Sequence, residues 1–316
     1  MLTLDAATTR AQLPFAALIA ALRDAFAAGC ELPLRHTHTI TNPQGPDGTV
    51  LLMPAWRPGA QLGIKTVTIF PGNSALGKPG LHSLYTLFDA STGEPLAQID
   101  GNEITSRRTA AAAALAASFL ARADASRLLI LGSGRVAALI AGAMRTVRTI
   151  AQVRVWNHRA DGAQRLAASL REQGFEAQAV TDLAAAVAQA DIVSCATLAT
   201  APLVSGAWLQ PGAHLDLIGS FTPAMRESDA ACFARSRVFV DTEEALAKSG
   251  DVIGARSDAA FSDERLQGTL AQLCRGAVRG RTAPGEITLF KAVGTALEDL
   301  AAAELVFAGV RSRAGP

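Results

Sequence analysis

The chain reads as an α/β protein with a Rossmann-type parallel sheet, joined to an α+β part with a mostly antiparallel sheet. Three observations predict this. Arg127–Ala137 (RLLILGSGRVA) runs from an uninterrupted apolar strand through a glycine turn into an apolar helix, as a buried βα unit does. From there to Asp241, strand patterns alternate with helical ones, which is the mark of βαβ units. Before it, residues 32–100 show alternating runs separated by turn residues, which is the mark of hairpins.

In chain order, Phe15, Leu18, Ile19, Leu22 and Phe26 recur at helical spacing and predict an amphipathic helix over 13–28. Leu32–Ile40 alternates as a strand, 43–48 (PQGPDG) is a turn, and 49–54 returns as a second strand. Strands follow at 62–70, 81–89 and 95–100, with a loop at 74–80. Ile104–Arg122 is a long Ala-rich helix leading straight into the Leu128 strand. Beyond it come strands at 153–156, 177–180, 191–196, 214–219 and 237–241, with helices at 163–173 and 183–189. Thr288–Val310 reads as one further apolar-faced helix, expected to return to the N-terminal part.

Length and composition narrow the function classes. A chain of 316 residues fits about two domains. A net charge of +1 argues against a nucleic-acid binder. No apolar run is long enough to span a membrane and no leader pattern opens the chain, so a cytoplasmic protein is expected. Cys30, Cys195, Cys232 and Cys274 lack metal-site or disulfide spacing and read as free thiols. His36 and His38 share a strand face with no acidic or thiol partner, so no metal site is expected. G-x-S-x-G is absent, which leaves a hydrolase triad without support.

The turn itself is Gly132-Ser133-Gly134-Arg135-Val136-Ala137, a G-x-G-x-x-A between strand and helix. The first glycine allows the tight turn and the second allows backbone to approach a pyrophosphate. The alanine lets the helix pack on the strand, and the helix N-terminus favours the phosphates. The next strand ends at Trp156, and its tip is Asn157-His158-Arg159. An NAD site usually carries Asp or Glu there to bind the ribose 2′-hydroxyl. An amide and two basic groups suit a 2′-phosphate instead, so NADP(H) is the expected cofactor, with NAD(H) also possible.

Three basic residues outside that region stand out. Lys65 is one of only four lysines and interrupts an otherwise apolar strand, where a charge needs a partner or a task. Arg35 lies in the strand region that also holds His36 and His38, and Arg108 lies in the first turns of the Ala-rich helix. An arginine offers a fork for a carboxylate, and a lysine a movable proton donor.

Several segments together carry a resemblance: Gly63-Ile-Lys65-Thr-Val, Leu87–Leu96 (LFDASTGEPL), Ile99–Thr105 (IDGNEIT), Arg107-Arg-Thr-Ala-Ala111, Leu131–Gly134 (LGSG), Thr288-Leu-Phe and Val293–Asp299 (VGTALED). On these residues the chain resembles the ornithine cyclodeaminase/mu-crystallin family. The resemblance implies a homodimeric enzyme whose substrate and dimerisation domain is 1–117 plus 290–316, with a Rossmann domain inserted at 118–289. It implies a substrate site of Arg35, Lys65, Arg108 and Val293, with Lys65 binding the carboxylate or moving a proton. It extends the cofactor residues of the glycine turn and the 157–159 tip to Arg108, Thr197, Ile218, Gly219, Ser220 and Ala292.

One departure bears on the reaction. The family's cyclodeaminases carry an Asp two residues before a Pro in the loop after the His214 strand. Here Gly219-Ser-Phe-Thr-Pro223 puts Phe221 at that position. The loop looks like that of the family's imine reductases, which implies reduction of a small cyclic imino acid with a carboxylate: Δ1-pyrroline-2-carboxylate to L-proline, or Δ1-piperideine-2-carboxylate to L-pipecolate. The alternatives are an amino-acid dehydrogenase acting on alanine or an N-methyl amino acid, ornithine deamination, and a non-enzymatic binder like mu-crystallin.

Overall fold

The computed structural model describes residues 1–314. The chain divides into two units, one joining residues 1–108 to the chain from Thr295 onward, the other Thr109–Gly294. The first unit opens with β1 (Leu2–Leu4), α1 (Ala6–Ala11) and α2 (Phe15–Ala28). Strands β2 (His36–Ile40), β3 (Gly48–Trp56), β4 (Gln61–Ile69), β5 (Leu81–Asp89) and β6 (Pro95–Asp100) follow, and then α3 (Gly101–Leu120). The second unit continues with β7 (Arg127–Leu131), α4 (Ala137–Met144), β8 (Gln152–Trp156), α5 (Ala160–Glu172), β9 (Ala177–Ala179), α6 (Leu183–Ala188) and β10 (Ile192–Cys195). Next come β11 (His214–Leu217), α7 (Ala230–Arg235), β12 (Arg237–Val240), α8 (Ala245–Lys248), α9 (Gly250–Ser257), β13 (Leu266–Thr269), α10 (Leu270–Cys274) and β14 (Thr288–Lys291). The last helix is α11 (Ala296–Ala314).

The first unit's sheet has the order β1-β6-β5-β4-β3-β2. Successive hairpins make it antiparallel, except that β1 joins β6 in parallel. The register places Met53 opposite Lys65, Lys65 opposite Tyr85 and Tyr85 opposite Ile99. Cross-strand partners share a face, and all four are buried. Helix α11 packs across β3, β4 and β5 and against α2, so Lys65 stands on the covered face. The last helix therefore packs on the N-terminal sheet. Strand β2 starts at His36 rather than Leu32 and is exposed along its length. It is the sheet edge, where Pro33 is tolerated just outside the ladder. β1 is too short to show a period.

The second unit's sheet has the order β13-β12-β14-β11-β10-β7-β8-β9, parallel throughout. The strand before the glycine turn, β7, lies between β8 and β10. Strand order reverses there, at the switch point where α/β sheets place ligands. Leu129, Leu131, Val193, Cys195, Leu215, Leu217 and Leu289 share one core layer with Phe233 and Phe261. Each such apolar side chain contributes about 1.5–3 kcal/mol by leaving water.

One expected element is corrected. Thr288–Lys291 does not open the last helix; it is β14, fully buried between β11 and β12. Four residues, Thr288-Leu-Phe-Lys291, are too few to show a period that separates a buried strand from a helix. The units accordingly divide at Gly294/Thr295 and, inside α3, at Arg108/Thr109, rather than at 289/290 and 117/118. No helix among the described residues is long and apolar enough to cross a membrane.

Candidate active site

Lys65 does not stand alone. Its ammonium lies 2.5 Å from Asp299 Oδ2 in the first turn of α11. Asp299 Oδ1 accepts from Arg108 Nε at 2.9 Å, and Arg108 Nη1 donates to Glu298. All four side chains are buried. Two cations and two carboxylates thus share one dry site in the first unit, and the bonds to neighbouring acids fix the plane of the guanidinium. Burial is the largest influence on Lys65 and, with Arg108 nearby, outweighs Asp299; its pKa falls to about 8. Burial also opposes the charge on Arg108, but Asp299 and Glu298 outweigh it and raise its pKa. For Asp299, burial works against ionisation, while Arg108 and Lys65 prevail and hold it below the ordinary carboxylate range.

The sequence singles out Lys65 and Arg108; it does not single out Glu298 and Asp299, which the fold brings to them. The signal was an adjacent acidic pair entering an otherwise apolar helix. Arg35 is half-buried just before β2. Extending the β2–β3 ladder by one residue would set it opposite Met53, on the row that holds Lys65.

The glycine turn in the second unit has the shape a pyrophosphate needs. Gly132 has φ 105°, and a side chain there would collide with the Ala196 carbonyl region. Around Gly134 a Cβ would meet nothing within 4 Å, so the turn presents open backbone at the start of α4. This predicts opposite outcomes for two substitutions. Gly132→Val destabilises the fold. Gly134→Val leaves the melting temperature within a degree or two but weakens NADH binding by about tenfold or more, since a side chain fills the space backbone must leave for phosphate. Melting curves and nicotinamide fluorescence titration check both.

Ser133 is half-buried, Arg135 exposed and Val136 half-buried around that turn. At the β8 tip, Asn157 Nδ2 donates to Arg159 O at 3.0 Å, while His158 and Arg159 are exposed. Asp161, the nearest following carboxylate, is bound by Arg165 on α5 at 2.7 Å. Gly162 was not singled out in the sequence. A side chain there would press on Ser133 Oγ and Asn157 Nδ2, so it is the residue that lets α5 bring the turn and the tip together.

The expected cofactor residues Thr197, Ile218, Gly219, Ser220 and Ala292, and Val293, expected at the substrate, lie just after β10, β11 and β14, at one edge of the same sheet. Thr197 follows β10, Ile218–Ser220 follow β11, and Ala292 and Val293 follow β14. Ile218 and Ala292 are buried and Val293 half-buried. The Ser220 hydroxyl is already committed: it donates to Met225 O at 2.5 Å and accepts from Asp251 N–H at 3.0 Å. The Ser220 hydroxyl is thus bound within the protein, which leaves its backbone to face a ligand. Phe221 is exposed on the same loop. No His/Cys/Asp/Glu group among the described residues has metal-holding geometry.

Fold and site together define a Rossmann-class oxidoreductase with a second, charge-bearing unit. The chain belongs to the ornithine cyclodeaminase/mu-crystallin family, whose model matches residues 6–314. It is 42% identical over 284 residues to Δ1-pyrroline-2-carboxylate reductase of Paracoccus denitrificans, covering 86% of this chain and 89% of that one. Among solved structures it is similar to Thermococcus litoralis Δ1-pyrroline-2-carboxylate reductase in complex with NADH and L-proline. The TM-score is 0.92 at 30% identity, covering 99% of this chain and 98% of that one. It is also similar to an archaeal alanine dehydrogenase dimer with bound NAD, at a TM-score of 0.90 and 27% identity, covering 99% and 97%.

Proposed function

We propose that this NAD(P)H-dependent imine reductase acts on cyclic ketimines that carry a carboxylate, Δ1-pyrroline-2-carboxylate and Δ1-piperideine-2-carboxylate, forming L-proline and L-pipecolate. The observation that carries the reading is the buried Lys65–Asp299 pair beside Arg108. A lysine with its pKa near 8 is still protonated at neutral pH, yet it releases its proton far more readily than an ordinary lysine. That is the property required to protonate an imine nitrogen as its carbon is reduced.

Gly132–Val136, Asn157–Arg159, Thr197, Ile218, Gly219 and Ala292 would hold the dinucleotide; the open backbone at Gly134 fits its pyrophosphate. When bound, the reduced nicotinamide supplies the hydride that adds to the imine carbon. Lys65 gives its proton to the imine nitrogen, becomes a neutral amine, and regains a proton from solvent. Asp299 keeps the Lys65 nitrogen in place throughout. Arg108 is tied to Glu298 and Asp299, so its part is to hold that pair in place and add positive field, while Arg35 receives the substrate carboxylate. The absence of a carboxylate at exposed Phe221 supports reduction over deamination. A homodimer belongs to this reading and rests on the dimeric alanine dehydrogenase that the chain resembles.

NADPH is the preferred cofactor in this reading, and NADH is also used. The support is the β8 tip, where Asn157, His158 and Arg159 stand without a free carboxylate. Arg159→Glu is expected to lower kcat/KM for NADPH by about tenfold or more, the worth of one charge-assisted contact, and to leave NADH little changed. Equal losses with both cofactors would remove Arg159 from that role.

The deciding assay follows NADPH and NADH oxidation with the five- and six-membered cyclic imino acids side by side. L-Alanine with NAD, run in the oxidative direction, tests the amino-acid dehydrogenase reading that the second structural likeness supports. Faster alanine oxidation than imine reduction would reverse the order.

A further inference from the structure

The parallel-sheet unit buries ionisable side chains that no step above uses, among them Asp216, Glu227, Asp241, Asp251 and Lys291. Lys291 ends β14, beside Leu217 of β11. Its ammonium donates to Leu217 O at 3.0 Å and to Gly219 O, and it lies 3.8 Å from Asp251 Oδ2. Asp251, in the first turn of α9, accepts the backbone N–H groups of Glu227 and Ser228, each at 2.9 Å. Glu227, held in that way, reaches back to the loop after β10. Its Oε1 accepts the Thr197 N–H at 2.7 Å and the Thr197 hydroxyl at 2.8 Å.

The fit leaves no slack. A side chain at Gly219 would collide with the Glu227 carboxylate and with the Thr197 carbonyl. Ser220, next in the chain, sits at φ 53° with its hydroxyl locked between Met225 and Asp251. Asp241 ties the third loop by accepting from Val293 and Gly294 N–H at 2.8 and 2.7 Å. The loops after β10, β11 and β14 are therefore shaped by buried ionisable side chains as well as by packing. Burying carboxylates around a single ammonium is costly, and a loop that needed only to fold would be held by apolar contacts.

We infer that Glu227, braced by Asp251 and Lys291, is a positioning residue for the dinucleotide: it sets the backbone of Thr197 and Gly219 in the arrangement that receives the cofactor. This rests on the proposed cofactor contacts of Thr197 and Gly219. Burial is the main cause that pushes the Glu227 carboxyl up to about 8, against the pull of Lys291. A side chain that is largely neutral at pH 7 can be replaced by an amide with little electrostatic change.

The test compares Glu227→Gln, Glu227→Ala and Asp191→Ala. Asp191 is another buried acid, before β10 at the other edge of the same sheet, where it binds Arg122 and Arg127, both at 2.8 Å. NADH and NADPH dissociation constants are read by nicotinamide fluorescence, kinetics with the cyclic imino acids, and stability by melting. Glu227→Ala is expected to raise Kd and KM for the dinucleotide by about tenfold, with kcat at saturating cofactor changed much less. Glu227→Gln restores binding to within about threefold of wild type, because its amide oxygen still accepts from Thr197. Asp191→Ala lowers the melting temperature but leaves Kd unchanged. Unchanged cofactor binding by Glu227→Ala overturns the inference. So does a loss in Asp191→Ala that matches its loss of stability, or a Glu227→Gln variant as impaired as the alanine. A wild-type protein that binds neither dinucleotide overturns the inference together with the cofactor reading beneath it.

Discussion

Replacing Lys65 with methionine is expected to reduce kcat for imine reduction by about a hundred- to ten-thousand-fold, the range that a positioned proton donor contributes. Methionine keeps most of the volume on the covered sheet face. Asp299 keeps its bond to Arg108, so the remaining carboxylate is not left without a cation. The variant should fold and bind dinucleotide as wild type does, which separates loss of chemistry from loss of structure. The pH profile adds a second measurement. Lys65 must carry its proton to act, and its pKa is near 8. Wild-type kcat/KM is therefore high below pH 8 and falls as pH rises through that value. In Lys65→Met this limb disappears from whatever activity survives. Imine reduction by the variant at near wild-type rate would remove Lys65 from the chemistry. Stability responds in the opposite sense. Folding favours the neutral form of Lys65, so its contribution is fullest above the ordinary lysine value of 10.5 and is lost as pH falls toward 8.

The second large effect is expected from Asp299→Asn. Asp299 opposes the downward pull of burial on Lys65 and also anchors Arg108 through Nε. Removing its charge leaves Lys65 and Arg108 with Glu298 as the one carboxylate of the cluster. The Lys65 pKa must then drop further, because an attraction that favoured its charged form is gone. The basic limb of the pH profile shifts to lower pH, and activity at pH 8 falls by about tenfold or more, while activity at pH 6 is better preserved. Breaking one side of a buried pair also costs about 3–5 kcal/mol in stability, visible as a lower melting temperature. A profile that keeps its limb near pH 8 in Asp299→Asn would show that Asp299 does not set the lysine's proton affinity.

Neither the pair nor its effect on proton affinity can be read along the chain. Lys65 interrupts an apolar strand and Arg108 enters an Ala-rich helix, so each was visible as a charge out of place. Asp299 enters a helix whose apolar spacing announces a core element, and two acids in a first turn are ordinary capping residues. Only the return of α11 across β3, β4 and β5 brings its carboxylate to the lysine. Likewise, Thr197 and Gly219 stand at strand ends where a parallel sheet binds ligands, but Glu227 lies in a loop with no period of its own. Its partner Asp251 is 24 positions away. β14 was hidden for a different reason, since four residues (TLFK) suit either kind of buried element.

What was legible is what is local. The βα unit around Gly132–Ala137, the hairpins of residues 32–100 and the bare Asn157–Arg159 tip are each complete within a few residues. Their physics is backbone geometry, side-chain period and short-range charge. What the folded chain alone decided is which charges meet. Arg108 and Asp299 are 191 positions apart, and their bond exists because sheet and helix bury both in one place. Burial there shifts proton affinities by an amount that depends on every charge facing the site, and that sum has no one-dimensional signature.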